Sequence, residues 1–380
     1  MALWVVFAMS TTSTADEPTA VPKAGQRRAF DLRDGDRIVL LGGTFIERAQ
    51  KYGHLETAMT ALYPNRNISF RNLGWSGDTV WADSRGIFDA PRVGYNRMIK
   101  QLAELKPTLV VVAYGMNESY AGKAGLPKFR NQLRVLLDAV AKTGSDVAVV
   151  SPHRFETPPA PLPDATQSHP NLELYSAALQ NESKERGYPF ANLFRDYQSA
   201  APLTDNGIHF HTDGYRRITE ILLERFNVPF KKEVISIRVQ AESKPIQFET
   251  TGVRLPWAGQ TIRVAGLSTG NFEVKIDDEL CATASAKELA DGVSITIGPD
   301  VRQLEKLRDA VVRKNRLYFY RWRPQNITYL FGFRKHEQGN NAKDVAEFEP
   351  LVKKVEAEIA KLKQPVKRTI EIVKSEGGQR

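Results

Sequence analysis

Thr108-Leu109-Val110-Val111-Val112-Ala113-Tyr114-Gly115-Met116-Asn117-Glu118 is an apolar run that ends abruptly on a glycine and two polar residues. A strand covered by helices on both faces reads this way, without the alternation of a half-exposed strand. Arg37-Ile38-Val39-Leu40-Leu41, Ile68-Ser69-Phe70-Arg71-Asn72, Asp146-Val147-Ala148-Val149-Val150 and the short Phe190-Ala191-Asn192-Leu193 are read as further strands. Helical spacing separates them. Leu55, Met59 and Leu62 fall on one stripe, as do Met98, Ile99, Leu102 and Leu105, and as do Phe129, Leu133, Leu136, Leu137 and Val140. Two more helices are predicted over 172–186 and 214–226. Strands alternating with helices over short connections predict an α/β fold, a doubly wound parallel sheet. Ligands bind such sheets at the carboxyl ends of the strands. Leu41-Gly42-Gly43-Thr44, Asn72-Leu73-Gly74-Trp75-Ser76-Gly77-Asp78-Thr79, Gly115-Met116-Asn117-Glu118 and the loop after Val150 all stand at such ends.

The chemistry-bearing residues collect in the same places. Thr44 offers a hydroxyl just past the first strand. Gly77 and Asn117 offer a backbone and a side-chain N–H, and Asp205-Asn206-Gly207-Ile208-His209 supplies an imidazole before the closing helix. Acyl transfer needs this set: a nucleophile, a base for its proton, and donors for the oxyanion. Each residue also has an ordinary reading. Thr44 suits a helix N-cap, Asn117 suits a loop that needs its backbone satisfied, and Gly77 with Asp78 suits a turn. Ser76 and His211 are weaker alternatives as nucleophile and base. A metal pair of His209 and His211 is not expected, since no further ligand pattern accompanies it.

Four blocks in this order, over about residues 35–228, resemble the SGNH (GDSL-type) hydrolase superfamily of esterases. The resemblance implies a flavodoxin-like doubly wound sheet and ester hydrolysis without metal or cofactor. It implies Thr44, His209 and Asp205 as catalytic residues, with Gly77 and Asn117 forming the oxyanion hole. Asn206, Glu118 and Trp75 are expected to bind substrate. Two positions depart from the family pattern. Gly42-Gly43-Thr44 replaces Gly-Asp-Ser, and Asn206 occupies the acid position of Asp-x-x-His, with Asp205 one place earlier. The implied substrate is a small ester, such as an O-acetyl group on a carbohydrate. The alternative is a catalytically impaired member of the fold that binds an acylated glycan.

The remaining chain divides by pattern. Residues 1–15 carry a short apolar run followed by Ser13-Thr14-Ala15 and are read as a possible signal peptide, which would make the protein secreted or periplasmic. Residues 16–34 read as a linker and 35–230 as the hydrolase domain. Period-two alternation over 231–300 predicts a small β-rich module of antiparallel strands. Residues 301–365 are read as a helix over Val301 to Val312, an irregular basic and aromatic segment over 313–340, and a helix from Pro350 to Leu362. Residues 366–380 are read as a tail.

The chain's net charge of +9 and pI near 9.4 come mostly from the part after residue 230. No acid interrupts Arg313 to Lys335, where Tyr318, Phe319, Tyr320 and Trp322 interleave with arginines. Such a segment packs back on the protein or holds sugar rings. A nucleic-acid partner is not expected beside an export signal. With 42% hydrophobic and 26% charged residues, the chain is globular in composition. No apolar run reaches the ~18–20 residues that span a bilayer, so stable membrane insertion is not expected. Cys281 is the only cysteine, which excludes an internal disulfide and any cysteine-based metal site.

Overall fold

The computed structural model describes residues 32–228, 234–239, 246–251 and 260–375. The readings of residues 1–15 and of most of 16–34 lie outside them.

The first unit runs β1 (Arg37–Gly42), α1 (Thr44–Tyr52), α2 (His54–Leu62), β2 (Ser69–Gly74), α3 (Pro91–Glu104), β3 (Leu109–Ala113), α4 (Gly122–Ala141), β4 (Asp146–Val150), α5 (His169–Arg186), β5 (Phe190–Ala191), α6 (Leu193–Asp196) and α7 (Thr212–Arg225). The strands form one parallel sheet in the order β2-β1-β3-β4-β5. This is the flavodoxin-like order expected from the sequence. Alternate side chains of one strand enter opposite cores. Ile38 and Leu40 pack with α2 and α7 residues such as Met59, Ile218 and Leu222. Val39 and Leu41 pack with Met98, Leu133 and Leu137 of α3 and α4. The connections leave β1 and β3 in opposite directions, so a crevice opens beyond their carboxyl ends. Gly43 and Gly115 stand there.

Packing at these ends is tight enough to select glycine. A Cβ on Gly74 would lie 2.2 Å from the backbone nitrogen of Glu47, so any side chain would push α1 away from β2.

After α7 come β6 (Val234–Arg238), β7 (Ile246–Thr251), β8 (Gln260–Ala265), β9 (Asn271–Ile276), β10 (Glu279–Ser285), α8 (Ala286–Asp291), β11 (Val293–Ile295), α9 (Pro299–Trp322), α10 (Ile327–Leu330), α11 (Lys335–Gln338), α12 (Phe348–Leu362) and β12 (Lys367–Lys374). Two small sheets, β10-β9-β12-β7 and β11-β8-β6, share a core of Ile262, Val274, Ile276, Ile295 and Ile370.

Three expectations need correction. Residues 366–374 are not tail: β12 pairs with β7 on one side and β9 on the other, burying Ile370 and Ile372. The module is not wholly antiparallel, since β6 runs parallel to β8. The helix predicted over 301–312 continues to Trp322, because its buried stripe continues as Lys314, Asn315 and Tyr318. Two polar residues on the buried face hid the periodicity.

α9 lies on the α/β unit and α12 lies on α9. Leu304, Leu307 and Val311 meet Ala61 on one side and Val355 and Ile359 on the other. Lys314 is buried and gives its ammonium to Glu56 Oε1 at 2.6 Å and to the Phe70 carbonyl at 3.0 Å. Arg71 reaches Glu356 at 2.6 Å. The C-terminal helices are thus bound to β2 and α2 by charge as well as by apolar contact. Among the described residues, no helix is long and apolar enough to cross a membrane.

Candidate active site

Gly43, not Thr44, is the N-cap of α1, and no side chain caps that helix. The Thr44 hydroxyl turns across the crevice instead and accepts the Gly77 N–H at 2.9 Å. Gly77 has φ +73°, a conformation that side-chain-bearing residues adopt reluctantly. That backbone twist turns the N–H toward Thr44. Asn72 seats the loop by donating to the Ile46 carbonyl at 2.6 Å and accepting the Gly74 N–H at 2.8 Å. One buried side chain therefore ties α1 to the start of the second block.

The following residues are held from below. Asp78 is buried and accepts from Arg85 Nε at 2.6 Å and from the Tyr114 hydroxyl at 2.9 Å. Its backbone carbonyl accepts the Asn117 side-chain N–H at 2.8 Å. Asn117 thus faces the Gly77–Asp78 loop across the crevice and keeps a second amide hydrogen. Glu118, expected to touch substrate, is buried and already engaged. Its two carboxylate oxygens accept the N–H groups of Val80 and Gly115, each at 2.8 Å. Burial pushes its pKa up to about 7 despite those bonds. Glu118 clamps the second and third blocks together.

Gly43, Thr44, Phe45, Asn117, Ser151 and His153 line one cleft. His153 escaped the sequence reading: it is a lone histidine in a proline-rich loop, with no spacing signal around it. It packs against the rings of Phe45, Phe155, Tyr197 and Phe210. Its Nδ1 faces the Arg154 carbonyl at 2.9 Å. Burial lowers its pKa to about 4, and the nearby His209 adds to the lowering. The buried ring forms part of the wall of the cleft.

His209 is half-buried on the loop that joins α6 to α7. The Glu156 N–H donates to the Gly207 carbonyl at 2.8 Å, and the Glu156 carboxylate accepts from the Thr204 hydroxyl and the Leu203 N–H. The His209 loop is thereby bound to the loop that carries His153. Beside the imidazole stands Asn206, whose side-chain nitrogen lies 3.2 Å from Nδ1. Its oxygen accepts the N–H groups of Ile208 and His209 at 3.2 and 2.9 Å, an Asx turn. Asp205, expected as the third catalytic residue, points elsewhere. Its carboxylate, half exposed, pairs with Arg48 at 2.7 Å. The turn presents residue 206 to the ring because that side chain folds back over the two N–H groups that follow it. Burial is the main cause that lowers the pKa of His209. The Arg48 charge adds to it and Asp205 opposes it.

The crevice thus brings together Thr44, Gly77 and Asn117, with the Asn206–His209 pair on the loop alongside. Among the described residues, no hydrogen bond joins Thr44 to His209. Catalytic contacts of this kind commonly tighten only around a bound substrate. Among the described residues, no three metal-ligating side chains gather at one point.

Trp75 lies on the other side of the Gly77 loop. Arg323 stacks on its indole at 3.6 Å, and Trp322 meets it edge-on at 5.9 Å. Arg323 also donates to Glu47 at 2.7 Å, and Glu47 accepts the Ser76 N–H. The basic and aromatic segment therefore folds back against the loop that carries Gly77.

Residues 35–217 match the model of the GDSL-like lipase/acylhydrolase family. No curated protein sequence matches the chain. In structure the chain is similar to a gut microbial diltiazem-metabolizing enzyme, with a TM-score of 0.69 at 16% identity. That likeness covers 90% of this chain and 98% of the other, so the shared fold includes the C-terminal extension. Axe2, an acetylxylan esterase from Geobacillus stearothermophilus, is 16% identical with a TM-score of 0.40, over 52% of this chain and 96% of its own. A GDSL-like lipase from Bacteroides thetaiotaomicron is 16% identical with a TM-score of 0.36, over 50% and 88%.

Proposed function

We propose, for a chain whose residues 35–217 belong to the GDSL-like lipase/acylhydrolase family, that the cleft is an ester hydrolase site. Its substrate is a small acyl ester, an O-acetyl group on a carbohydrate, and Thr44 is the nucleophile. The observation that carries this reading is the 2.9 Å bond from the Gly77 N–H to Thr44 Oγ1. A donor that reaches the nucleophile also reaches the oxygen of a carbonyl whose carbon that nucleophile attacks.

The steps follow from the residues. Thr44 Oγ1 bonds to the carbonyl carbon and its proton passes to His209 Nε2 in the ring tautomer that carries its own proton on Nδ1, the tautomer that Asn206 disfavours. The carbonyl oxygen takes up negative charge between the Gly77 N–H and the free hydrogen of the Asn117 amide. Collapse of the tetrahedral adduct expels the alcohol, which leaves with the proton from His209. Water, deprotonated by the same imidazole, then cleaves the acyl-threonine. Thr44 carries one methyl more than serine. That methyl stiffens χ1 and is tolerated because the hydroxyl already occupies its rotamer against Gly77.

A second reading, binding of an acylated ligand without turnover, is favoured by one observation. Asn206 directs an N–H at His209 Nδ1, so the neutral ring carries its own proton on Nε2, the nitrogen that must accept. Hydrolysis of an aryl acetate by the wild type, Thr44→Ala and Thr44→Ser separates the two. The esterase reading expects measurable turnover in the wild type, more in Thr44→Ser and none in Thr44→Ala. Folded protein with no turnover in any of the three leaves the binding reading.

A further inference from the structure

Trp75 also lines a second hollow, of about 670 Å³. Trp75 and Phe319 form its inner part and Tyr329 one flank. Phe88, from the loop before α3, and Phe333, from the loop after α10, stand at its rim as an edge-to-face pair 5.9 Å apart. The pair is exposed, at 76% and 72%. Most of the enclosing residues come from 319–334, outside the segment that carries the family match.

Its electrostatics narrow the occupant. The segment is strongly basic in sequence, yet both guanidinium groups of the hollow are already matched. Arg323 pairs with Glu47 at 2.7 Å, and Arg334 pairs with Glu337 through two bonds of 2.5 and 2.8 Å. Each also lies against an aromatic face, Trp75 and Tyr329 respectively. Neutralised charge gives no grip on a phosphate or a uronate. What remains is the exposed pair of Phe88 and Phe333 with Phe319, and polar side chains, Gln325 and Asn326 among them. That pairing matches a neutral sugar, whose ring has apolar C–H faces and hydroxyls around its edge. The volume of about 670 Å³ falls within the ~300–1,000 Å³ of ordinary small-molecule pockets.

We infer that this hollow is a binding subsite for the neutral sugar chain that carries the ester. Trp75 stands two residues before Gly77, whose N–H bonds Thr44, so the hollow adjoins the loop that carries the oxyanion donor. The inference rests on the ester-hydrolase reading for its purpose, but its test does not use turnover. Full-length protein is titrated with unacetylated xylotriose, cellotriose, maltotriose and trigalacturonic acid. Intrinsic tryptophan fluorescence, to which Trp75 contributes, and calorimetry report binding. The variants are Phe88→Ala and Phe333→Ala, both at exposed positions, with circular dichroism and the thermal midpoint as checks of folding.

The expected result is saturable binding of at least one neutral trisaccharide, weakened roughly tenfold in each variant, the size of one lost aromatic contact. No binding of any neutral sugar overturns the inference, as does binding unchanged in both variants or binding confined to the acidic sugar. Concentration-dependent dimerisation abolished by the same substitutions also overturns it, because the rim would then be a subunit contact. Sugar binding without ester turnover upholds the subsite and removes the enzymatic reading. Turnover of an aryl acetate without sugar binding does the reverse.

Discussion

Asn206 and His209 are joined across 3.2 Å by a bond whose direction is settled at the far end of the amide. The Asn206 oxygen already accepts two backbone N–H groups. Turning the amide over would set its NH₂ against both of those donors. The nitrogen must therefore face the ring, and Nδ1 must accept.

From this follows a gain of function. Asn206→Asp keeps the acceptor for the two N–H groups and returns a carboxylate to Nδ1. The imidazole then carries its proton on Nδ1 and frees Nε2 as a base. The same exchange made in the opposite direction in a serine protease costs ~10⁴ in kcat through the wrong tautomer. The expected outcome is a rise in kcat on an aryl acetate of at least about a hundredfold. A rate unchanged in Asn206→Asp would show that His209 is not the base.

Arg323 acts on the cleft through Glu47 and Trp75 and touches none of the reacting groups. Arg323→Ala removes the cation from the indole and from the carboxylate that holds the Ser76 N–H. The Gly77 loop loses support, and kcat is expected to fall about tenfold, a fraction of the ~10²–10³ for losing an oxyanion donor outright. KM for a small aryl acetate should move less than kcat. Arg323→Lys keeps the charge but not the planar stack, and should recover only part of the rate. An equal loss in both parameters with lowered thermal stability would mark Arg323 as merely structural.

Lys314 and Glu56 form a buried pair. Lys314→Met leaves Glu56 buried without its partner, which is expected to cost roughly 3–5 kcal/mol in denaturant unfolding. Adding Glu56→Leu removes the orphaned charge and should restore most of that loss. A double variant no more stable than Lys314→Met would argue against the pair as the link between α9 and α2.

Stability against pH has opposing contributions. His54 and His153 have pKa values lowered to about 4, chiefly by burial, against 6.5 for the ordinary group. Unfolding lets them bind protons, so their contribution is fully present above pH 6.5 and is lost as pH falls toward 4. Glu118 has the reverse sign. Its pKa is raised from 4.5 to about 7, so its contribution is present below pH 4.5 and is lost as pH rises through about 7. Each site changes the slope by up to about 1.4 kcal/mol per pH unit. Glu118→Gln removes the opposing member, so loss of stability on acidification from pH 6.5 to 4.5 should be steeper than in the wild type. Parallel curves from chemical denaturation across that window would contradict the assignment.

Much of this fold is legible in the sequence. Apolar strands ending in Gly43, Gly74 and Gly115 announce a parallel sheet and the end that carries the site. Close backbone approach leaves few other residues at those positions. What sequence spacing cannot convey is which of two neighbouring side chains a turn selects. Asp205 and Asn206 stand four and three residues before His209, and only the Asx turn chooses between them. Thr44 as a helix cap failed for a similar reason, because its hydroxyl has a partner 33 residues away in Gly77. His153 and Glu118 act through burial, which leaves no periodic mark. The continuation of α9 was concealed by Lys314 and Asn315, whose polarity suggested an exposed face where there is a buried one.

β12 carries a consequence for how the chain is made. It occupies the middle of its sheet, between β7 and β9, yet it leaves the ribosome after both of them and after the long helices α9 and α12. Until it arrives, β7 and β9 present facing rows of unpaired backbone N–H and C=O groups with a strand-wide gap between them. The α/β unit has no such dependence, since its five strands are complete by residue 191. Synthesis should therefore yield a folded α/β unit first and an open β module that waits for its central strand. A nascent chain stalled between residues 322 and 366 would carry that gap into the cell as a template for strand exchange with another copy of itself.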